Sequence, residues 1–346
     1  MTGNIFSGGI EGIYIASPSN LFYFSGLQND DARILLTPQE NYYFTDARSM
    51  EEARELITGF TMVDVERGEY AFTASQFIAN LGIKKLGYED ESILYREYHA
   101  IDWKDRELIP AETAINAKRS VKAPAEIAKI VAAQAITDKV FIEMLEFIRP
   151  GVTEVETAAK LNSLIYGYGA TLAFDSIVAF GKNTSKPHSH PSDNVLNNRD
   201  CVLLDFGAKY KGYCSDMTRS FAVGGVSDKY RETYYRVLES QQNAISALKA
   251  GITGREGDAL ARDVLKDSGL SDFFTHSLGH SLGVDIHEKP VMSPRSNEII
   301  PVGAVLSVEP GVYFEGEFGI RIEDIVLFNN NSVDRLTASP KDLLII

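Results

Sequence analysis

Cysteine, positive charge and long apolar runs are all scarce in this chain, and each scarcity excludes something. Only Cys201 and Cys214 are present among 346 residues. The strand register read below leaves them out of reach of one another, so no disulfide is expected, and they read as small buried residues of a reduced protein. No uninterrupted apolar run approaches the roughly 18 residues of a membrane helix. The first basic residue is Arg33, which leaves no positively charged leader. A cytoplasmic protein without a membrane partner is therefore expected. Lys and Arg number 34 against 48 Asp and Glu, a formal net charge of −14. A phosphate backbone would be repelled, and no basic run offers it a local patch, so nucleic acid is excluded as a partner. The single tryptophan, Trp103, and the tyrosines read as core and interface material.

What is present suits two cores: 44% of the residues are hydrophobic, an ordinary globular composition at a length that favours two domains. Residues 1–117 read as an α/β domain. Strands are expected at IEGIYIA, NLFYFSG, RILLTP, NYYFTD and FTMVDVE, with helices from about Ser49, over 71–81 and over 91–99. That domain is chemically quiet, holding one histidine, His99, on a helix. The boundary falls in AKRSVKAP, residues 117–124, where charge clusters and Pro124 suits a first helical turn. The second domain, 118–346, repeats itself. A helix from Pro124 to about Ile148 stops at Pro150-Gly151, and Thr153 with Glu156 caps the next. A hundred residues later a helix runs from Ser227 to Ala250, Gly251 stops it, and Thr253 with Glu256 caps another. PGVTEVE at 150–156 is thus answered by AGITGRE at 250–256, as a duplication would require.

Between the paired helices, residues 201–220 read as a hairpin turning near Tyr210, which sets Asp205 opposite Asp216. Directly opposed residues have Cβ atoms roughly 4.5 to 5.5 Å apart, and two carboxylates that close need a proton, a cation or a metal. A solvated hairpin with one aspartate on each face is the other reading of this stretch alone. The duplication predicts a counterpart, and residues 305–328 supply it. Glu309 and Glu323 stand opposite across a turn at Gly316, with Pro310 interrupting the ladder. Four converging carboxylates would be balanced by two divalent cations. Five of the six histidines lie between 188 and 287: His188 and His190 in PHSHPSD, and His276, His280 and His287 in HSLGHSLGVDIHEKP. One such histidine alone would read as structural; beside paired carboxylates they read as a site. His276 and His280 have zinc-helix spacing, but Gly279 and Gly283 disfavour a helix and no HExxH follows.

These residues carry a resemblance. LLDFGAKYKGYCSDMTR, HSLGHSLGVDIHEKP, SVEPGVYF and GIRIED, in that order, resemble the pita-bread metallopeptidases, the superfamily of aminopeptidase P, prolidase, methionine aminopeptidase and creatinase. NLFYFSG, YYFTDARSMEEA and RSVKAPAEI extend the likeness over nearly the whole chain and point to the Xaa-Pro branch. The resemblance implies an α+β pita-bread domain with an internal pseudo-twofold duplication, preceded by a smaller creatinase-type α/β domain. It implies that Asp205 chelates one metal, that Asp216 and Glu323 bridge two, and that His280 with Glu309 completes the second. His188, His276 and His287 match substrate-site histidines, and Arg321 matches an arginine two residues before the last ligand, on the same strand face as Glu323.

The implied activity is hydrolysis of the bond between an N-terminal residue and proline, by a water made acidic by two cations. Glu309 is the candidate to relay its proton. His276 or His287 is expected to stabilise the oxyanion, and His188 to position the scissile bond. Carboxylates and imidazole suit Mn²⁺ or Co²⁺ first, with Zn²⁺ or Fe²⁺ next. A homodimer is implied by the family alone. The sequence departs from the resemblance in two places: Val291 stands where many dipeptidases carry an arginine, which opens longer peptides as substrates, and little chain precedes IEGIYIA. A broader aminopeptidase, or a metal-holding binding protein without turnover, are the rival readings.

Overall fold

The computed structural model describes residues 5–101 and 106–346, so Trp103 lies outside the described residues. The chain divides into two compact units, Met1–Arg119 and Ser120–Ile346.

The first unit is built on a six-stranded sheet. Its elements in order are β1 (Gly12–Ile15), α1 (Pro18–Ser25), β2 (Arg33–Leu36), β3 (Tyr42–Thr45), α2 (Met50–Leu56), β4 (Thr61–Asp64), α3 (Tyr70–Asn80), β5 (Lys85–Tyr88), α4 (Tyr95–Ala100), β6 (Glu107–Pro110) and α5 (Glu112–Ser120). The strand order is β4-β3-β2-β1-β5-β6. Two apolar clusters pack on it: Ile13, Ile15 and Ile34 belong to one, Tyr14, Leu35 and Phe44 to the other. Adjacent strand residues thus alternate between two buried faces, which is why these strands read as continuous apolar runs. NLFYFSG is helix α1 and not the expected strand. Pro18 occupies its first turn and Gly26, at φ 79°, ends it with its N–H bonded to the Phe22 carbonyl. Those two punctuating residues outweigh the strand preference of the aromatics between them. The short strands β5 and β6 escaped the reading because four residues of mixed polarity leave no period to detect.

The second unit is duplicated. Its first half runs α6 (Pro124–Phe147), α7 (Glu154–Gly167), β7 (Thr171–Leu172), β8 (Ile177–Phe180), β9 (Cys201–Phe206), β10 (Ala208–Tyr210), β11 (Tyr213–Cys214) and β12 (Met217–Ala222). The second runs α8 (Asp228–Ala247), α9 (Gly254–Asp267), β13 (Gly279–Ser281), β14 (Glu288–Met292), β15 (Val305–Val308), β16 (Gly311–Phe314), β17 (Phe318–Arg321), β18 (Asp324–Phe328) and β19 (Val333–Arg335). Both expected capping boxes form, Thr153 with Glu156 and Thr253 with Glu256. Helix α8 ends three residues before the expected Ala250, with Leu248 already extended. The repeat extends to individual backbone bonds. Gly151 N–H reaches the Leu196 carbonyl and Gly251 N–H the Ile300 carbonyl, both at 2.9 Å. Isolated bridges join Thr153 to Val195 and Thr253 to Ile299. Each half has its own core, one around Phe141, Leu161, Leu204 and Phe221, the other around Tyr234, Leu265, Leu306 and Val326.

The acidic hairpins sit where the halves meet. In the first, Asp205 pairs with Thr218 and Phe206 with Met217, so Asp216 is not directly opposite Asp205 as expected. The turn lies further along: Lys211 at φ 48° and Gly212 at φ 81° form a two-residue connection, with Tyr210 paired to Tyr213. A two-residue shift keeps the face, so Asp216 remains diagonal to Asp205. At Gly207 the hairpin changes sheets, and only glycine fits there, since a Cβ would come within 1.9 Å of the Ser215 carbonyl oxygen. In the second hairpin Val308 pairs with Asp324 and Gly311 with Arg321. Glu309 and Glu323 stand in that same register, at the break that Pro310 makes. Cys201 pairs with Ala222 and Cys214 with Lys209, and both thiols are free and buried. Among the described residues no helix is long and apolar enough to cross a membrane.

Candidate active site

Four carboxylates, four imidazoles and one guanidinium line a single cavity of about 370 Å³ in the second unit. Its wall includes Asp205, Asp216, Glu309, Glu323, His188, His276, His280, His287 and Arg321, together with Phe174, Ile177, Ile286 and Val291. His190 is not part of it.

The strands bring the acids in from both halves. Asp205 is near the end of β9, Asp216 just ahead of β12, Glu309 just past β15 and Glu323 between β17 and β18. One oxygen of each of three carboxylates, Asp205 Oδ1, Asp216 Oδ1 and Glu323 Oε1, is buried with no hydrogen-bond partner. An unpaired buried carboxylate oxygen is costly unless a cation or proton meets it. Burial first, then the Glu323, Asp205 and Glu309 charges, raise the Asp216 carboxyl well above the usual range. Burial, then Glu309 and Asp205, do the same to Glu323. Glu309 is pushed up to about 7 by burial, against the opposing charge of Arg321. In metal-free protein the cluster therefore favours bound protons, and a cation can take their place.

His280 is oriented for such a cation. Its Nδ1 lies 3.2 Å from the Ser281 carbonyl, which can only accept, so Nδ1 carries the proton and the Nε2 lone pair faces the acids. Nε2 is 3.6 Å from Asp216 Oδ2 and 3.4 Å from Glu309 Oε1. Burial lowers the pKa of the ring and keeps it neutral, the ligand form. Donor atoms of Asp216, His280 and Glu323 all lie within 4.8 Å of one another, and the chemistry of this set fits a divalent metal.

Around the acids stand groups the sequence reading did not single out. Thr218 Oγ1 donates to Glu323 Oε2 at 2.6 Å and accepts from Arg321 Nε at 2.9 Å. Ser307 Oγ donates to Glu309 Oε1 at 3.0 Å. Both lie two residues from an expected ligand, and the period of two in a strand is the signal that could have found them. Arg321 is paired with Asp205 through Nη2 and not with Glu323. From Nη1 it donates to the Tyr313 hydroxyl at 2.7 Å. That hydroxyl lies 3.0 Å from His276 Nε2, while His276 Nδ1 lies 2.8 Å from the Ser277 carbonyl. The carbonyl fixes the proton on Nδ1, so Tyr313 donates to Nε2. Burial, then the charge of Arg321, push His276 down to about 3. Gly311 makes room for this contact, since a Cβ there would lie 2.5 Å from the Tyr313 oxygen.

A duplicated α+β unit whose halves each deliver two acids to one cavity defines a metallohydrolase of the pita-bread class. The comparisons narrow the class. The description of metallopeptidase family M24 matches residues 128–330, and that of the creatinase/prolidase N-terminal domain matches 7–121. The uncharacterized peptidase YqhT of Bacillus subtilis is 38% identical over 341 residues, covering 98% of this chain and 96% of that one. A solved Xaa-Pro dipeptidase from Bacillus anthracis has a TM-score of 0.94 at 37% identity, over 99% of this chain and 98% of its own. An X-Pro aminopeptidase from Thermotoga maritima has a TM-score of 0.91 at 35% identity, over 98% of both chains. The chain belongs to metallopeptidase family M24.

Proposed function

We propose that this chain is a dinuclear-metal exopeptidase that hydrolyses the bond between an N-terminal residue and proline. The observation that carries the reading is the trio of partnerless, buried carboxylate oxygens on Asp205, Asp216 and Glu323, in a site where donor atoms of Asp216, Glu323 and His280 lie within 4.8 Å of one another. Asp205, Asp216, His280, Glu309 and Glu323 would hold the two cations, Mn²⁺ or Co²⁺ before Zn²⁺ or Fe²⁺. Bound there, divalent cations would polarise the scissile carbonyl and supply a water acidic enough to attack near neutral pH.

The rest is the work of side chains. Glu309 accepts the proton of the attacking water and passes it to the departing nitrogen. His287, exposed to solvent beside His280 at 4.4 Å between ring centroids, stabilises the developing oxyanion. His276 is the poorer candidate for that task, since both its nitrogens are engaged. Its bond to Tyr313 instead ties the cavity wall to Arg321, which holds Asp205 in place. His188 positions the scissile bond. Phe174, Ile177, Ile286 and Val291 offer apolar wall to the proline ring. The same reading expects a homodimer in the cytoplasm; light scattering checks the first.

The test is hydrolysis of Ala-Pro, Ala-Pro-Ala and Met-Ala-Ala by metal-stripped protein, before and after Mn²⁺ is added. Metal-dependent cleavage of Ala-Pro alone makes it a dipeptidase that works without an arginine at 291. Cleavage of Ala-Pro-Ala makes it an aminopeptidase of longer peptides. If only Met-Ala-Ala is cut the proline assignment is wrong, and no cleavage at all favours a binding protein.

A further inference from the structure

His188 reaches the cavity from the segment between β8 and β9, which has almost no regular structure of its own. A 3-10 turn occupies Gly181–Ser185, and beyond it the chain is irregular to Asp200. Such a loop must be fixed by contacts with its surroundings. At its middle, the Pro187 carbonyl accepts from Arg321 Nη1 at 3.3 Å, and Thr184 Oγ1 accepts from the Gly319 N–H at 2.9 Å. Both of its feet converge on one carboxylate. Glu154, on the first turn of α7, is fully buried. It accepts from the Phe180 N–H at 2.8 Å and Asn183 Nδ2 at 3.0 Å on one side of the loop. On the other it accepts from the Ser192 N–H at 3.0 Å, Ser192 Oγ at 2.6 Å and Asn194 Nδ2 at 3.1 Å.

The duplication shows that α7 does not need this side chain in order to start. In the second half the same helix entry is built with Gly254 in place of Glu154. The Thr253–Glu256 capping box forms as its counterpart does, and Gly254 N–H reaches the Glu298 carbonyl at 2.9 Å, as Glu154 N–H reaches that of Asn194 at 3.1 Å. There the following segment closes directly on the helix, for a Cβ on Gly254 would lie 2.1 Å from the Val291 carbonyl oxygen. Only the half that carries His188 leaves a gap at this point, and it fills the gap with a carboxylate whose hydrogen bonds go to the two feet of the His188 loop.

We infer that Glu154 is a positioning residue for His188: a buried latch that closes the loop 180–194 at its base and so sets the imidazole in the cavity. The inference rests on the peptidase reading given above. Gln at 154 keeps the shape but turns an NH₂ toward donors, so the latch opens without a large change of volume. In E154Q the Phe180 and Ser192 amides should exchange with deuterium at least about tenfold faster, and kcat/KM should fall about 10- to 100-fold, with metal content unchanged. H188A should lose activity as well, and E154Q/H188A should lose no more than H188A alone, because an absent side chain cannot be misplaced. Losses that multiply in the double variant would assign Glu154 a general structural role and overturn the inference. The His188 ring resonances, assigned by comparison with H188A, report the latch without turnover. A shift in E154Q supports it even if no peptide is cleaved, whereas unchanged ring signals overturn it even if activity falls. Should E154Q fail to fold, S192A removes the shortest of these contacts and carries the same expectations at smaller size.

Discussion

Arg321 belongs to two arrangements at once, and its neighbours show how a buried cation is used. Its guanidinium balances Asp205 and, through the Tyr313 hydroxyl, holds a neutral His276. Tyr313→Phe should leave metal content intact and lower kcat/KM roughly tenfold, as loss of an orienting partner does; an unchanged kcat/KM would remove Tyr313 from the site. Asp216→Asn should lose both metal and turnover, by more than about 100-fold in metal affinity, read by elemental analysis after dialysis. An Asn variant that kept two metals would end the assignment of Asp216 as a bridge. The raised carboxyls make a further prediction. Burial first, and neighbouring acids after it, raise Asp216 and Glu323, and Glu309 reaches about 7. A carboxyl raised on folding stabilises the metal-free native state at low pH, and that contribution is lost as pH rises through the folded value. The urea midpoint of metal-free protein should therefore fall as pH rises from the unfolded carboxylate value of about 4.3 through the Glu309 value of about 7, while that of Mn²⁺-loaded protein stays level. A metal-free midpoint that rose with pH would contradict the picture of a proton-holding cluster.

At the scale of elements, the hairpins and the capped helices repay different arguments. The caps are local: Thr153 accepts from the Glu156 N–H at 3.1 Å, and Thr253 from the Glu256 N–H at 3.2 Å. Thr153→Ala and Thr253→Ala should each cost about 1 kcal/mol, and about equally, by urea denaturation. A large inequality would show that the two helix entries are equivalent in backbone only. The hairpins are less local. Their register follows the turn, and in the first one the positive φ of Lys211 and Gly212 moves Asp205 opposite Thr218. Polar residues at positions 218 and 307 then meet the acids on the same face, where they donate to Glu323 and Glu309.

For the whole molecule, the chain divides at Arg119 and Ser120, and the described residues of the cavity wall belong to the second unit. Metal should stabilise only the second. At free Mn²⁺ of 100 times its dissociation constant the gain is about 2.7 kcal/mol. Calorimetry should show a metal-dependent transition for the second unit and an unmoved one for the first; a first transition that rose equally would mean that the two unfold as one. The first unit has its own acid limit. Burial raises Glu97, but its bonds to Arg33 outweigh that and leave its pKa lowered. Its stabilisation is present above the unfolded carboxylate value of about 4.3 and is lost as pH falls through the folded one.

The sequence by itself determined the periodic and the punctuated features: both capping boxes, the duplication, and the strand-turn-strand frames around the four acids. These rest on short-range rules, a period of two or of 3.6 and the fixed backbone preferences of Pro, Gly and Thr, which a single chain displays in order. Only the tertiary structure decided the rest. It made NLFYFSG a helix between Pro18 and Gly26, moved Asp205 opposite Thr218, gave Arg321 to Asp205 and brought Tyr313 to His276. It also joined both feet of the His188 loop on Glu154. Each of these sets a residue against one far away in the chain or settles a contest between local preferences, and which partner wins depends on who else is buried there.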